Sequence, residues 1–271
     1  MELIIDAIID TLKIMPFLFI TYLVIEWIEH KASDKMAIGI QKTAKFGPIL
    51  GSAAGLIPQC GFSSIASTLY VTRVLTLGTL ISIYLATSDE MLPILISNSA
   101  PIDLIFKILS IKFIIGVVVG YAIDLVVKKG KKETIHIDAF CDDEDCHCEE
   151  EGIFISAFKH TIKISFYILI VTYLLNLVIA NIHLEQLLLA SPTLTVFVSA
   201  VVGLIPNCAA SIVITELYLE GLLGFGPMMA GLLTNAGVGL LVLFRINKNM
   251  KENFKIILLL LVIGIIAGLL L

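Results

Sequence analysis

Two short segments combine a helix break with side chains able to hold a polar cargo. They are Gly55–Leu56–Ile57–Pro58–Gln59–Cys60 and Gly203–Leu204–Ile205–Pro206–Asn207–Cys208. Proline lacks an N–H and clashes with the preceding turn, so each segment ends one helix. An amide and a thiol follow at once, and Ser63 and Ser211 stand three residues beyond the cysteines. Residues three apart share a helix face, so thiol and hydroxyl would look the same way. Amide oxygen, thiol and hydroxyl together make a mixed cage suited to a cation or a neutral polar species. A single cysteine here would read as a small buried hydrophobe. Two at matching positions beside a break read as ligand-lining residues.

Carboxylates form the second candidate. Thr87–Ser88–Asp89–Glu90 interrupts an otherwise apolar helix before Pro93, and its counterpart Thr234–Asn235–Ala236–Gly237 is small, polar and uncharged. Ionisable residues at membrane depth are costly and by default mark ion sites or proton relays. Asp89 or Glu90 is therefore expected to bind a cation or couple transport to protons, with Asn235 joining the cage. The bland alternative is a helix end wetted at the membrane interface. A third cluster, Cys141 to Glu151, holds Cys146, His147 and Cys148 among carboxylates. Such groups could capture a soft or borderline metal ion. The three ligand types are consecutive, however, unlike the spaced pairs of a zinc ribbon. An acidic run of this kind is ordinarily a solvated linker.

The elements that must position these residues are membrane helices. At 271 residues the chain is 58% hydrophobic and only 15% charged, which excludes a nucleic-acid binder or a soluble enzyme as a leading reading. A crossing needs roughly 20 apolar residues. Residues 5–29, 103–127, 161–181 and 253–271 qualify, while 46–98 and 190–245 are apolar but interrupted. The N-terminus has no basic region or cleavage site and reads as a retained first helix. The chain also repeats itself. With a shift of 148 positions, Ser63 meets Ser211, Tyr70 meets Tyr218, Gly78 meets Gly226 and Lys107 meets Lys255. Gly116 and Gly120 likewise meet Gly264 and Gly268, two small-x3-small faces expected to join the last helix of each half to the core. Lys107 and Lys255, near helix ends, are expected to snorkel.

Basic residues in short loops mark the cytoplasmic side. Lys31, Lys35, Lys42 and Lys45 follow the first helix, and Lys128, Lys129, Lys131 and Lys132 follow the fourth. In the second half, Arg245, Lys248 and Lys251 precede the last helix, and residues 181–185 carry no Lys or Arg. Equivalent positions thus face opposite sides. Residues 46–57 and 59–72 are each about 20 Å long at 1.5 Å per residue, too short to span. Every basic loop, Arg73 included, falls inside only if this pair forms a re-entrant hairpin. Ordinary proline kinks explain neither the polar tips nor this charge pattern. The expected fold is all-α and polytopic. It comprises two inverted-topology repeats, each of three transmembrane helices plus a re-entrant helical hairpin, or ten segments in all. Residues 1–127 are the first repeat, 128–152 a cytoplasmic Cys/His/acid-rich linker and 153–271 the second repeat, with both termini outside.

The paired Gly-Leu-Ile-Pro-(Gln/Asn)-Cys motifs, the duplication and the central Cys/His/acid-rich loop resemble the ten-span heavy-metal exporter family, whose members carry labels of arsenic efflux or manganese transport. The resemblance covers essentially the whole chain. It implies that Gln59, Cys60, Asn207 and Cys208 are substrate-site residues. Trivalent arsenic favours three thiolates, and the membrane segments hold two cysteines, whereas Mn²⁺ suits carboxylate and amide oxygen. The expectation is a secondary transporter exporting a divalent cation such as Mn²⁺ against proton entry, with arsenite still open. It would reside in the cell membrane, need no resident cofactor, and have lipid and a metal ion as partners; a homodimer stays open. A transporter of small organic anions or neutral solutes is the competing reading. An intramembrane cysteine enzyme would lack a base, since no His lies in a predicted hairpin.

Overall fold

Among the described residues, every element of the computed structural model is a helix. Those residues are scattered positions between 8 and 23, then 46–58, 60–88, 91–128, 153–181 and 192–271. The first half contributes α1 (Gly47–Gly55), α2 (Cys60–Val71), α3 (Leu77–Ala86), α4 (Met91–Ser97) and α5 (Ile102–Lys128). A long helix, α6 (Ile153–Asn181), precedes α7 (Pro192–Gly203), α8 (Cys208–Leu219), α9 (Phe225–Thr234), α10 (Gly239–Ile246) and α11 (Met250–Leu270). The starts of α2, α3, α4 and α5, at 60, 77, 91 and 102, recur 148 positions later at 208, 225, 239 and 250. The sequence repeat is therefore a repeat of helix boundaries. The predicted first span, 5–29, and all of the predicted linker except Lys128 lie largely or wholly outside the described residues.

The short arms before and after each Gly-Leu-Ile-Pro motif end where the sequence places them. Leu56 and Ile57 donate to Ser52 and Ala54, tightening the last turn of α1, and Pro58 has no N–H to continue it. In the second half Leu204 and Ile205 donate to Val201 and Val202, and Asn207 N–H turns back on the Ile205 carbonyl at 2.7 Å. The far ends of α2 and α8 close identically. Arg73 and Gly221, 148 positions apart, both adopt a left-handed conformation (φ 60° and 75°). Their N–H groups bond to the Tyr70 and Tyr218 carbonyls, and the next N–H groups reach Leu69 and Leu217. This double bond pattern satisfies the orphan carbonyls of a helix end. Arg73 takes a geometry natural to glycine, and its guanidinium lies 5.6 Å from the Tyr70 ring centre and 3.3 Å from Glu252 of α11.

Each half packs a layer of three: α1, α3 and α5 in the first, α7, α9 and α11 in the second. The glycines allow it. A methyl group at Gly78 would fall on the Gly120 carbonyl oxygen, and one at Gly226 on that of Gly268. Gly116 likewise faces Ser52 and the Ser82 carbonyl, while Gly264 faces Thr234 and the Ala230 carbonyl. The two small-x3-small faces join α5 and α11 to their layers, as the sequence predicts. On its other side α11 shows Phe254, Leu258, Val262 and Ile266 exposed at every fourth position. This apolar stripe suits lipid, not water.

By length and composition Leu77–Ser97, Phe225–Ile246 and Met250–Leu270 could each cross a bilayer. Within the apolar window of Phe225–Ile246, 89% is buried, against 33% for Met250–Leu270, so the former is central and the latter peripheral. The two central stretches hold a feature that the sequence reading takes as continuous helix. Residues 77–97 are split, α3 ending at Ala86 and α4 starting at Met91, and 225–246 are split between Thr234 and Gly239. Pro93 falls in the first turn of α4, where its missing N–H costs nothing. In the second half the Asn235 side chain accepts from Gly237 N–H at 2.9 Å, and Gly237 takes φ 54°. The halves then cross: α2 packs on α10, α8 on α4, and α3 meets α9 between them.

Candidate functional site

Within each half, the motif break lies beside the central helix, and the two central breaks meet where the halves cross. The first Gly-Leu-Ile-Pro motif lies beside the first central break, because Gly55 abuts the Ile83 carbonyl and Ala86, the last residue of α3. In the second half Gly203 abuts the Gly231 carbonyl and the Thr234 hydroxyl. Thr234 there donates toward the carbonyls of Ala200 (2.8 Å) and its own helix, locking α9 to α7. Across the halves, Gly239 at the start of α10 touches Ser63 of α2 so closely that a Cβ would sit 2.7 Å from the Ser63 carbonyl oxygen. Each motif therefore adjoins a break in its own half, and the helix that follows the first motif adjoins the start of α10 in the other.

Two buried polar links hold this crossing. Ser67 Oγ lies 2.7 Å from the Tyr84 hydroxyl, 2.7 Å from the Gly239 carbonyl and 2.7 Å from the Ser63 carbonyl. One hydroxyl proton can serve one carbonyl at a time, so Tyr84 donates to Ser67 and Ser67 to a carbonyl. Tyr84 is wholly buried, as is Ser67. The second link is Lys112, in the middle of α5 and also wholly buried. Its ammonium donates to the Thr87 carbonyl at 2.5 Å and to the Leu232 carbonyl at 2.7 Å. Thr87 ends α3 and Leu232 lies in the last turn of α9, so one side chain ties the two central breaks together.

Of the residues expected from sequence, Ser63, Asn207, Ser211 and Asn235 are buried at these discontinuities, each exposed by 3% or less. Ser63 and Asn235 flank the same crossing, Asn235 four residues before Gly239 and Ser63 against it. Cys60 and Cys208 are the first residues of α2 and α8. Gln59, Asp89, Glu90, Cys146, His147 and Cys148 lie outside the described residues. Ser88 and Met91, which flank the two carboxylates in sequence, are each 1% exposed. Lys107, expected to snorkel, is exposed at residue level with its ammonium 4.3 Å above the Phe225 ring centre. Among the described residues no three His, Cys, Asp or Glu side chains cluster as a metal site.

Lys112, Ser67 and Tyr84 were missed by sequence reasoning. The signal for Lys112 is a cation well inside a long apolar helix, about a turn and a half further from the end than Lys107. Its repeat counterpart is Leu260, also fully buried. That mismatch marks it as a departure from the repeat.

This geometry, broken helices from both halves meeting inside an apolar chain, agrees with what comparison of the sequence shows. The chain matches the family described as "Putative, 10TM heavy-metal exporter" over residues 1–182 and again over residues 153–271. The chain belongs to this heavy-metal exporter family. No curated protein and no solved structure matches it. Membership makes the protein a multi-span membrane protein of a metal-transporting class, and the lipid-suited stripe on α11 agrees with that setting.

Proposed function

We propose that the protein is a secondary active transporter that exports a divalent metal cation, Mn²⁺ before arsenite, against proton entry. One observation carries the reading: the central helix breaks of the two halves are tied together through Lys112, and Ser63, Asn207, Ser211 and Asn235 are each buried close to a break in their own half. Non-helical backbone survives at membrane depth only inside protein or beside a water-filled cavity. Transporters built from inverted repeats place cargo at such breaks, with unwound carbonyls and helix C-termini facing cations. The 148-residue repeat of helix boundaries, with the swapped placement of basic loops, supports two halves inserted in opposite senses. The arms around Pro58 and Pro206 then act as re-entrant hairpins whose tips approach the midplane.

The donor set argues for a hard or borderline cation. Gln59, Asn207 and Asn235 offer amide oxygen, Asp89 or Glu90 carboxylate, and Cys60 and Cys208 at most two sulfurs, which suits Mn²⁺ better than trivalent arsenic. A buried ammonium would suit the organic-anion reading, but Lys112 directs two N–H groups at carbonyl oxygens. The test is accumulation of Mn, Co, Zn and arsenite in cells expressing the wild type or the Asp89→Asn/Glu90→Gln variant. Export predicts lower accumulation of one metal with wild type only. Equal accumulation with and without the wild-type protein, for all four, ends the proposal.

A further inference from the structure

We propose that Lys112 is a tethered cation: its ammonium fills a cradle of main-chain oxygens built jointly by the two halves, and this cradle accepts a free monovalent cation when the charge is removed. This role of Lys112 belongs to the protein's own architecture and is independent of the cargo.

The cradle is made of carbonyls that helices cannot use. The last four carbonyls of a helix have no intrahelical donor, and they form the negative end of its dipole. Thr87, the cap of α3, and Leu232, in the last turn of α9, are both such positions. Their oxygens come from different halves and meet at one nitrogen, 2.5 and 2.7 Å away. Lys112 itself is fully buried on a third helix, α5. Ammonium is a compact point charge whose donors can rotate to meet such oxygens, which makes it a close stand-in for a hydrated-shell-free alkali ion. The repeat supplies the second argument. The matching position in the other half is Leu260, so the repeat does not duplicate the charge. One half brings the cation and both halves bring the oxygens.

Among the described residues, helices α1, α3, α4 and α9 carry no second cation. Helices α1, α4 and α9 carry no titratable side chain, and α3 carries Tyr84 alone, already engaged with Ser67. Removing the ammonium leaves two buried carbonyls without their donor, and an ion entering from solution would restore it.

The experiment is thermal unfolding of the purified full chain in detergent. Wild type, Lys112→Met, Lys112→Gln and Lys112→Arg are compared in choline, sodium and potassium chloride at equal ionic strength. The neutral variants should be raised by Na⁺ or K⁺ by about 5 °C at saturating salt. Wild type and Lys112→Arg, which keep a bound charge, should give the same midpoint in all three salts. MnCl2 added to wild type reports separately on the metal-export reading, because that response does not pass through the variants. No Na⁺ or K⁺ dependence in either neutral variant, or an equal dependence in wild type or Lys112→Arg, overturns the proposal. So does failure of both neutral variants to fold in every salt, because the added ion should rescue them.

Discussion

Substituting Ser67 by alanine tests whether the crossing of the two halves is held by a directional link or merely by packing. In the wild type the Tyr84 hydroxyl is buried with Ser67 Oγ at 2.7 Å, and Ser67 reaches the Gly239 carbonyl at 2.7 Å. Ser67→Ala leaves the Tyr84 hydroxyl orphaned in the core, a loss of about 1–3 kcal/mol. Tyr84→Phe removes the other partner, but Ser67 still has two carbonyls to donate to, so the loss is only about 0.5–1.5 kcal/mol. The double variant contains no orphan and should resemble Tyr84→Phe. The two losses are therefore less than additive, with a coupling as large as the Ser67→Ala loss itself, about 1–3 kcal/mol. At about 2–4 °C per kcal/mol for a chain approaching this size, Ser67→Ala lowers the unfolding midpoint by about 2–12 °C. The assay is unfolding of the four proteins in one detergent at one scan rate, since irreversible unfolding makes midpoints depend on rate. Strictly additive losses, or a double variant worse than Ser67→Ala, would refute the reasoning.

Three further outcomes follow from the same packing. Gly239→Ala puts a Cβ 2.7–2.8 Å from Ser63 atoms, and overpacking of about 1–3 kcal/mol should outweigh the gain of about 1 kcal/mol in helix propensity; a lowered unfolding midpoint is the check. Asp124 accepts from Gly78 N–H at 3.0 Å and Thr76 Oγ at 2.9 Å, at the start of α3. Asp124→Asn should cost about 1–2 kcal/mol by removing a partly buried negative charge from a helix N-terminus, read as faster amide exchange over residues 77–80. Glu252→Gln loosens α2 from α11 by removing the carboxylate shared by Tyr70 and Arg73. With Arg73 and Glu252 both partly exposed, the ion-pair part of the loss is below about 1 kcal/mol and should shrink in high salt.

How much of this was legible in the sequence depended on which constraint each residue answered to. Pro58 and Pro206 forbid continued helix on local grounds, and α1 and α7 do end just before them. Gly116, Gly120, Gly264 and Gly268 signal close approach by having no side chain, and their partners are the helices of the same layer. The break between Ala86 and Met91 was harder to see. Thr87 and Ser88 are tolerated inside helices, and Pro93 reads equally as a kink or as the first turn of a new helix. The pairing of Ser67 with Gly239, 172 positions away, is set by tertiary contact, on which local periodicity is silent. Lys112 shows in the sequence as a cation within an apolar helix, but the carbonyls of Thr87 and Leu232 that receive it leave no mark there.

The close approach at Gly239 makes the molecule lopsided. Gly239 lets α10 rest directly on the main chain of α2, but the matching position at the head of α4 is Met91, whose side chain is buried. A rocking motion that traded the two arrangements would have to press a methionine into the space of a hydrogen atom. The duplicated gene product therefore cannot behave as a seesaw with equal arms. At one crossing backbone rests on backbone, and at the other a buried methionine stands between, so any rocking of the halves would meet unequal resistance at the two.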